Sequence, residues 1–127
     1  MSDFRTGLSR ARGLGSIKAG TEHFWHQRVT GAANLILLPF AFYTAFHLAG
    51  EPLSAVKAYF VSPLVAALAV LLAASSAYHM RLGMQAIIED YVPREGQKLT
   101  FLMLNTFFAA LVGLTSIVAI IKLSLGA

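Results

Sequence analysis

One stretch holds the side chains that could do chemistry together. His79 lies inside a long apolar run, and Asp90-Tyr91 sits where that run meets polar sequence. An imidazole can ligate a metal or a haem iron, and a carboxylate beside a phenol can pass protons and donate a hydrogen bond to a developing oxyanion. Projected on a helix from His79, Asp90 falls within about 20°, Ala86 at about −20°, Ser75 at about −40° and Gly83 at about +40°. One stripe therefore carries His79 among small residues, with Asp90 at its polar end. Small neighbours admit a flat ligand such as a porphyrin, and equally the backbone of another helix. Tyr91 lies about 120° round the helix and roughly 18 Å along it from His79, which places the histidine inside a ~30 Å hydrocarbon core and the phenol at its edge.

The elements that must position these residues are membrane spans. The chain has 127 residues, 57% hydrophobic and 13% charged, with a mean hydropathy of +0.66. A soluble domain of this size needs far more polar surface, so the composition predicts an all-α integral membrane protein. With no cysteine, disulfides, iron–sulfur ligation and thiolate zinc sites are excluded from this chain. The net charge of +4 concentrates at the N-terminus and reads as topology and lipid contact. No motif for reading nucleic-acid bases is present.

In order along the single membrane domain, 1–127, residues 1–26 form a polar arm containing Arg5, Arg10, Arg12 and Lys18. No apolar core follows within its first twenty residues, which excludes a secretory signal. Asp3 and Glu22 favour a bacterial cytoplasmic arm over an organellar transit peptide. Spans are expected over about 29–49, 60–91 and 99–123, each long enough to cross. Pro39 falls in the first, and Pro93 favours a stop at the residue before it. Arg28, Arg94 and Lys98 join the N-terminal cations on one side, against Lys57 and Lys122 on the other. The positive-inside rule then puts the N-terminus and the Asp90-Tyr91 end in the cytoplasm.

His79, Gly83, Asp90 and Tyr91, at these spacings and followed by Val92-Pro93, resemble the second helix of the succinate dehydrogenase (succinate:quinone oxidoreductase) hydrophobic membrane anchor subunit, D-type. The resemblance implies that His79 is an axial ligand of a b-type haem. It implies that Tyr91, with Asp90, binds the quinone, and that Arg28, in Arg28-Val29-Thr30, meets the haem propionates. It also implies partners: an iron–sulfur subunit, a flavoprotein subunit that oxidises succinate, and a cytochrome b anchor of C-type. A six-coordinate haem needs two axial ligands, and this chain has one well-placed candidate; the shared haem b and the three-helix anchor both call for that partner anchor. This chain has no flavin motif and no site of its own for succinate. The segment His26-Gln27-Arg28-Val29-Thr30-Gly31 resembles the C-type His-Arg-x-Thr-Gly with Gln27 inserted, whereas the other C-type patterns are absent.

The remaining polar residues have plainer readings. Trp25 reads as an interface belt residue, His23 and His26 as solvated, and His47 as no ligand. Asn34, Asn105, Thr30, Thr44, Thr106 and Thr115 read as interhelical hydrogen bonding. Arg81 projects about 200° from His79, and a partner, a propionate or the headgroups all remain open to it. Two rival functions predict other outcomes. A non-redox scaffold or transporter component would bind no haem, and a stand-alone cytochrome b would bring two copies of His79 together.

Overall fold

The computed structural model of the chain describes residues 6–8 and 18–126. Arg5, Arg10 and Arg12 of the expected arm lie outside the described residues. Four helices follow in order: α1 (Lys18–Leu48), α2 (Leu53–Phe60), α3 (Pro63–Tyr91) and α4 (Glu95–Ser124). Among the described residues there is no strand, and α1, α3 and α4 are long and apolar enough to cross a membrane. The fold is all-α, as the composition predicts. Most of the apolar surface faces outward; Ile36 is 76% exposed and Phe46 80%. A bilayer is the kind of solvent that such a surface requires.

α3 is the central helix, with α1 packed on one side and α4 on the other. Leu37, Ala69, Leu82, Ile88 and Ala109 are the buried apolar residues between them. α4 packs tightly on α3 at Gly113, where an added Cβ would stand 3.1 Å from the Ala77 Cβ. Close backbone approach replaces hydrophobic burial as the source of contact where the solvent is itself apolar.

The boundaries have local causes. α1 runs unbroken through Pro39 and turns at Gly50, whose φ of +80° is costly for any residue with a Cβ. Between the first two expected spans the chain forms the short helix α2. The chain breaks at Val61-Ser62, and Pro63 opens α3 at its first turn, where its missing N–H costs nothing. Lys57 reaches the Gly126 carbonyl at 3.4 Å, tying α2 to the end of α4. α3 stops at Tyr91 because Val92 is held extended ahead of Pro93. α4 starts a turn before the apolar run, with Glu95 in its first turn and the Glu95–Lys98 ion pair at 3.6 Å.

Candidate functional site

His79 lies half-buried on the face of α3 that meets α1. Its Nδ1 is 3.0 Å from Thr30 Oγ1. The Thr30 hydroxyl proton is already committed, since Oγ1 donates to the His26 carbonyl one turn back at 2.7 Å. Thr30 Oγ1 can therefore only accept from His79, which puts the imidazole proton on Nδ1 and leaves the Nε2 lone pair free. Nε2 has no hydrogen-bond partner among the described residues. This is the tautomer that an iron ligand needs, and its orientation is fixed by the second nitrogen, as ligating histidines generally are.

Gly31 makes room for this arrangement. A Cβ there would stand 3.2 Å from His79 Cε1. Ser75 Oγ donates to the Thr30 carbonyl at 3.3 Å, and a Cβ on Gly83 would meet Gln27 Nε2 at 3.4 Å. The small residues flanking His79 on α3 thus admit α1. α1 packs on this stripe, and the Nε2 edge of the His79 ring is left without a hydrogen-bond partner among the described residues. Thr30 was legible as a polar residue in a span. Its role as the acceptor for His79 depends on a pairing across 49 residues that spacing does not encode.

The other candidates are not gathered around His79. Asp90 and Tyr91 end α3; both are exposed, Tyr91 at 81%, and among the described residues the phenol has no hydrogen-bond partner. Arg28 lies two residues before Thr30, about 200° round α1 and so away from α3. Its guanidinium sits 4.5 Å over the Phe24 ring. His26, expected as solvated, meets Tyr78 OH through Nδ1 at 3.0 Å. His23 Nε2 and Gln27 Oε1 are buried without a hydrogen-bond partner among the described residues. His47 is at the opposite end of α1, stacked on Tyr43 at 5.5 Å and tilted against Tyr59.

The expected interhelical bonds form at Thr44 to Tyr59, at Asn34 from Ser76, at Asn105 to the Arg81 carbonyl and at Thr106 from Arg81. Thr115 makes none among the described residues. No group of three or more metal-ligating side chains occurs among them either. Among the sequence candidates, the chemistry on offer is the oriented His79 imidazole inside the bundle and the exposed Asp90 carboxylate and Tyr91 phenol at its end.

Residues 2–114 match the family described as succinate dehydrogenase/fumarate reductase transmembrane subunit. The chain is 27% identical over 118 residues to the succinate dehydrogenase hydrophobic membrane anchor subunit of Rickettsia typhi, covering 93% of this chain and 94% of that one. It is 26% identical over 118 residues, with the same coverage, to the protein of that name from Rickettsia prowazekii. The protein of that name from Paracoccus denitrificans is 27% identical over 117 residues, 92% of this chain and 90% of that one. No solved structure matches the chain significantly. A multi-pass membrane protein with three apolar helices and a match over nearly all of its length, this chain belongs to the succinate dehydrogenase/fumarate reductase transmembrane subunit family.

Proposed function

We propose that this chain is a membrane anchor subunit of succinate dehydrogenase, sharing one b-type haem with a partner anchor and lending Tyr91 and Asp90 to a quinone-reduction site. The observation that carries the reading is the Thr30–His79 pair. It holds an imidazole inside a span with its Nε2 unused. A second iron ligand would come from the partner, because the other described histidines are His23, His26 and His47 and none contacts His79. Bound there, the haem supplies a one-electron relay between chains. His79 would hold the iron, and Thr30 holds His79. Arg28, on the outer face of α1, is the guanidinium open to a propionate that approaches along that face.

At the end of α3, a quinone that accepts two electrons must also accept two protons. Its carbonyl oxygens gain charge on the way, and the Tyr91 O–H would stabilise that charge. The Asp90 carboxylate beside it can pair with a partner cation and pass protons. The iron–sulfur and flavoprotein subunits would dock at this end and deliver electrons drawn from succinate.

The test is the complex purified from its own membranes. It should contain the flavoprotein, the iron–sulfur subunit and a second anchor, and should show a low-spin b-type absorption spectrum. A haem-free preparation lacking those subunits would leave a scaffold or transporter component; a haem-bearing homodimer would leave a stand-alone cytochrome b.

The reading also places the chain in a bacterial inner membrane with its N-terminus and Tyr91 end in the cytoplasm. Arg28, Arg94 and Lys98 mark that end of the bundle and Lys57 and Lys122 the other. The chain has no cysteine of its own. Single cysteines at Ser16 and Ser124 should react with an impermeant maleimide from opposite sides of the membrane. Labelling of both from one side would overturn the three-span topology.

A further inference from the structure

We propose that the α3–α4 face bearing Arg81 is the docking surface for a transmembrane helix of another subunit, and that this helix carries a carboxylate at mid-span that pairs with Arg81. The proposal rests on the membrane-span reading alone and is independent of haem and quinone.

Arg81 is half-buried between α3 and α4. Its Nε donates to Thr106 Oγ1 at 3.3 Å, and that hydroxyl passes its own proton to the Leu102 carbonyl at 2.9 Å. One neutral oxygen is thus the whole of its side-chain pairing. The other guanidinium N–H groups have no partner, and no carboxylate lies within ion-pair distance, among the described residues. The Arg81 carbonyl accepts from Asn105 Nδ2 at 2.9 Å, so the register of α3 on α4 holds this charge at the level of Thr106. Thr106 is eight residues beyond Lys98 and sixteen before Lys122, about 12 Å and about 24 Å along the helix axis. An arginine at such depth is costly unless something pairs with it.

The surface beside it has the form of a helix-docking groove. The open groove has a volume of about 380 Å³ and is lined on its outer side by the exposed Ala74, Tyr78, Ala110 and Leu114, with Arg81 and Thr106 at one end. Small residues let a second backbone approach, and the guanidinium requires that the approaching element bring an anion. A lipid does not meet both demands. Its acyl chain carries no anion, and its headgroup lies outside the hydrocarbon core, about 12 Å from the Thr106 level. A second copy of this chain does not meet them either. Its carboxylates are Asp3, Glu22, Glu51, Glu89, Asp90 and Glu95, in the N-terminal segment, in the α1–α2 connection or at the Tyr91 end of the bundle. A group on His79 is also excluded, because Arg81 lies about 200° round α3 from it. A helix of a different subunit with an Asp or Glu in its span remains.

The test uses the intact complex in its own membranes. A photoreactive benzoylphenylalanine at Ile117, on the groove and clear of Arg81, should cross-link to a transmembrane helix of another subunit that carries a carboxylate at the level of Thr106. Cross-links to lipid only, to a second copy, or to a helix without such a carboxylate would overturn the proposal. In parallel, Arg81→Gln should reduce recovery of that subunit with this chain in detergent about tenfold. Arg81→Lys should restore most of it, as should neutralising the carboxylate in the Arg81→Gln background. Undiminished recovery with Arg81→Gln, at equal accumulation of the chain in the membrane, would also overturn it. The cross-link is made with Arg81 intact, so it decides the matter even where a substitution impairs folding.

Discussion

The His79→Ala complex is expected to lose its low-spin b-type spectrum, through loss of haem or conversion to a five-coordinate species. The substitution removes the nitrogen that Thr30 orients and leaves no other described histidine in contact with that position. Thr30→Val separates orientation from ligation. It keeps the shape of the side chain and removes the acceptor for Nδ1–H, so the imidazole loses its fixed tautomer and ring orientation. Loss of such an outer partner weakens metal affinity by about 10–100-fold, seen as faster haem loss and a raised midpoint potential. Thr30→Ser keeps the acceptor and should behave as wild type. A normal low-spin spectrum in the His79→Ala complex would remove His79 from the site and leave His47 to be tested. Loss in His79→Ala with no change in Thr30→Val would keep the ligand and discard the role of Thr30. Quinone reduction is expected to survive in part, because Tyr91 lies roughly 18 Å further along the helix and can be reached from the iron–sulfur side.

Tyr91→Phe should lower the kcat of quinone reduction by about 10²-fold, the scale for losing one preorganised donor to a developing oxyanion. Assembly and succinate oxidation with an artificial acceptor should be unchanged. The expectation is sharp because the phenol is 81% exposed and bonded to nothing among the described residues. Removing its oxygen leaves no donor or acceptor stranded in the fold, so a rate effect reports on the substrate. Quinone kinetics equal to wild type would reduce Tyr91 to an anchor at the membrane boundary.

The sequence by itself determined the number of spans, the all-α class and the end of α3. Those depend on runs of apolar residues and on Pro93, which act within a few residues of where they stand. It also placed His79 in a span and Tyr91 at its edge, since both follow from helical rise alone. The helix α2 was not legible, because Leu53–Phe60 reads as polar connection passing into apolar run until Pro63 is seen to open a new helix. Nor was the assignment of faces. Periodicity says that Ser75, His79 and Gly83 share a stripe; it does not say what covers it. In a helix apolar nearly all round, no greasy side marks the core. Only the tertiary structure decided that α1 covers this stripe and that Thr30 meets His79 across 49 residues. It also sent Arg81 to Thr106 on α4. In an apolar solvent the deciding contacts are scarce polar pairs and close backbone approaches. Their partners lie on other helices, beyond the reach of local spacing.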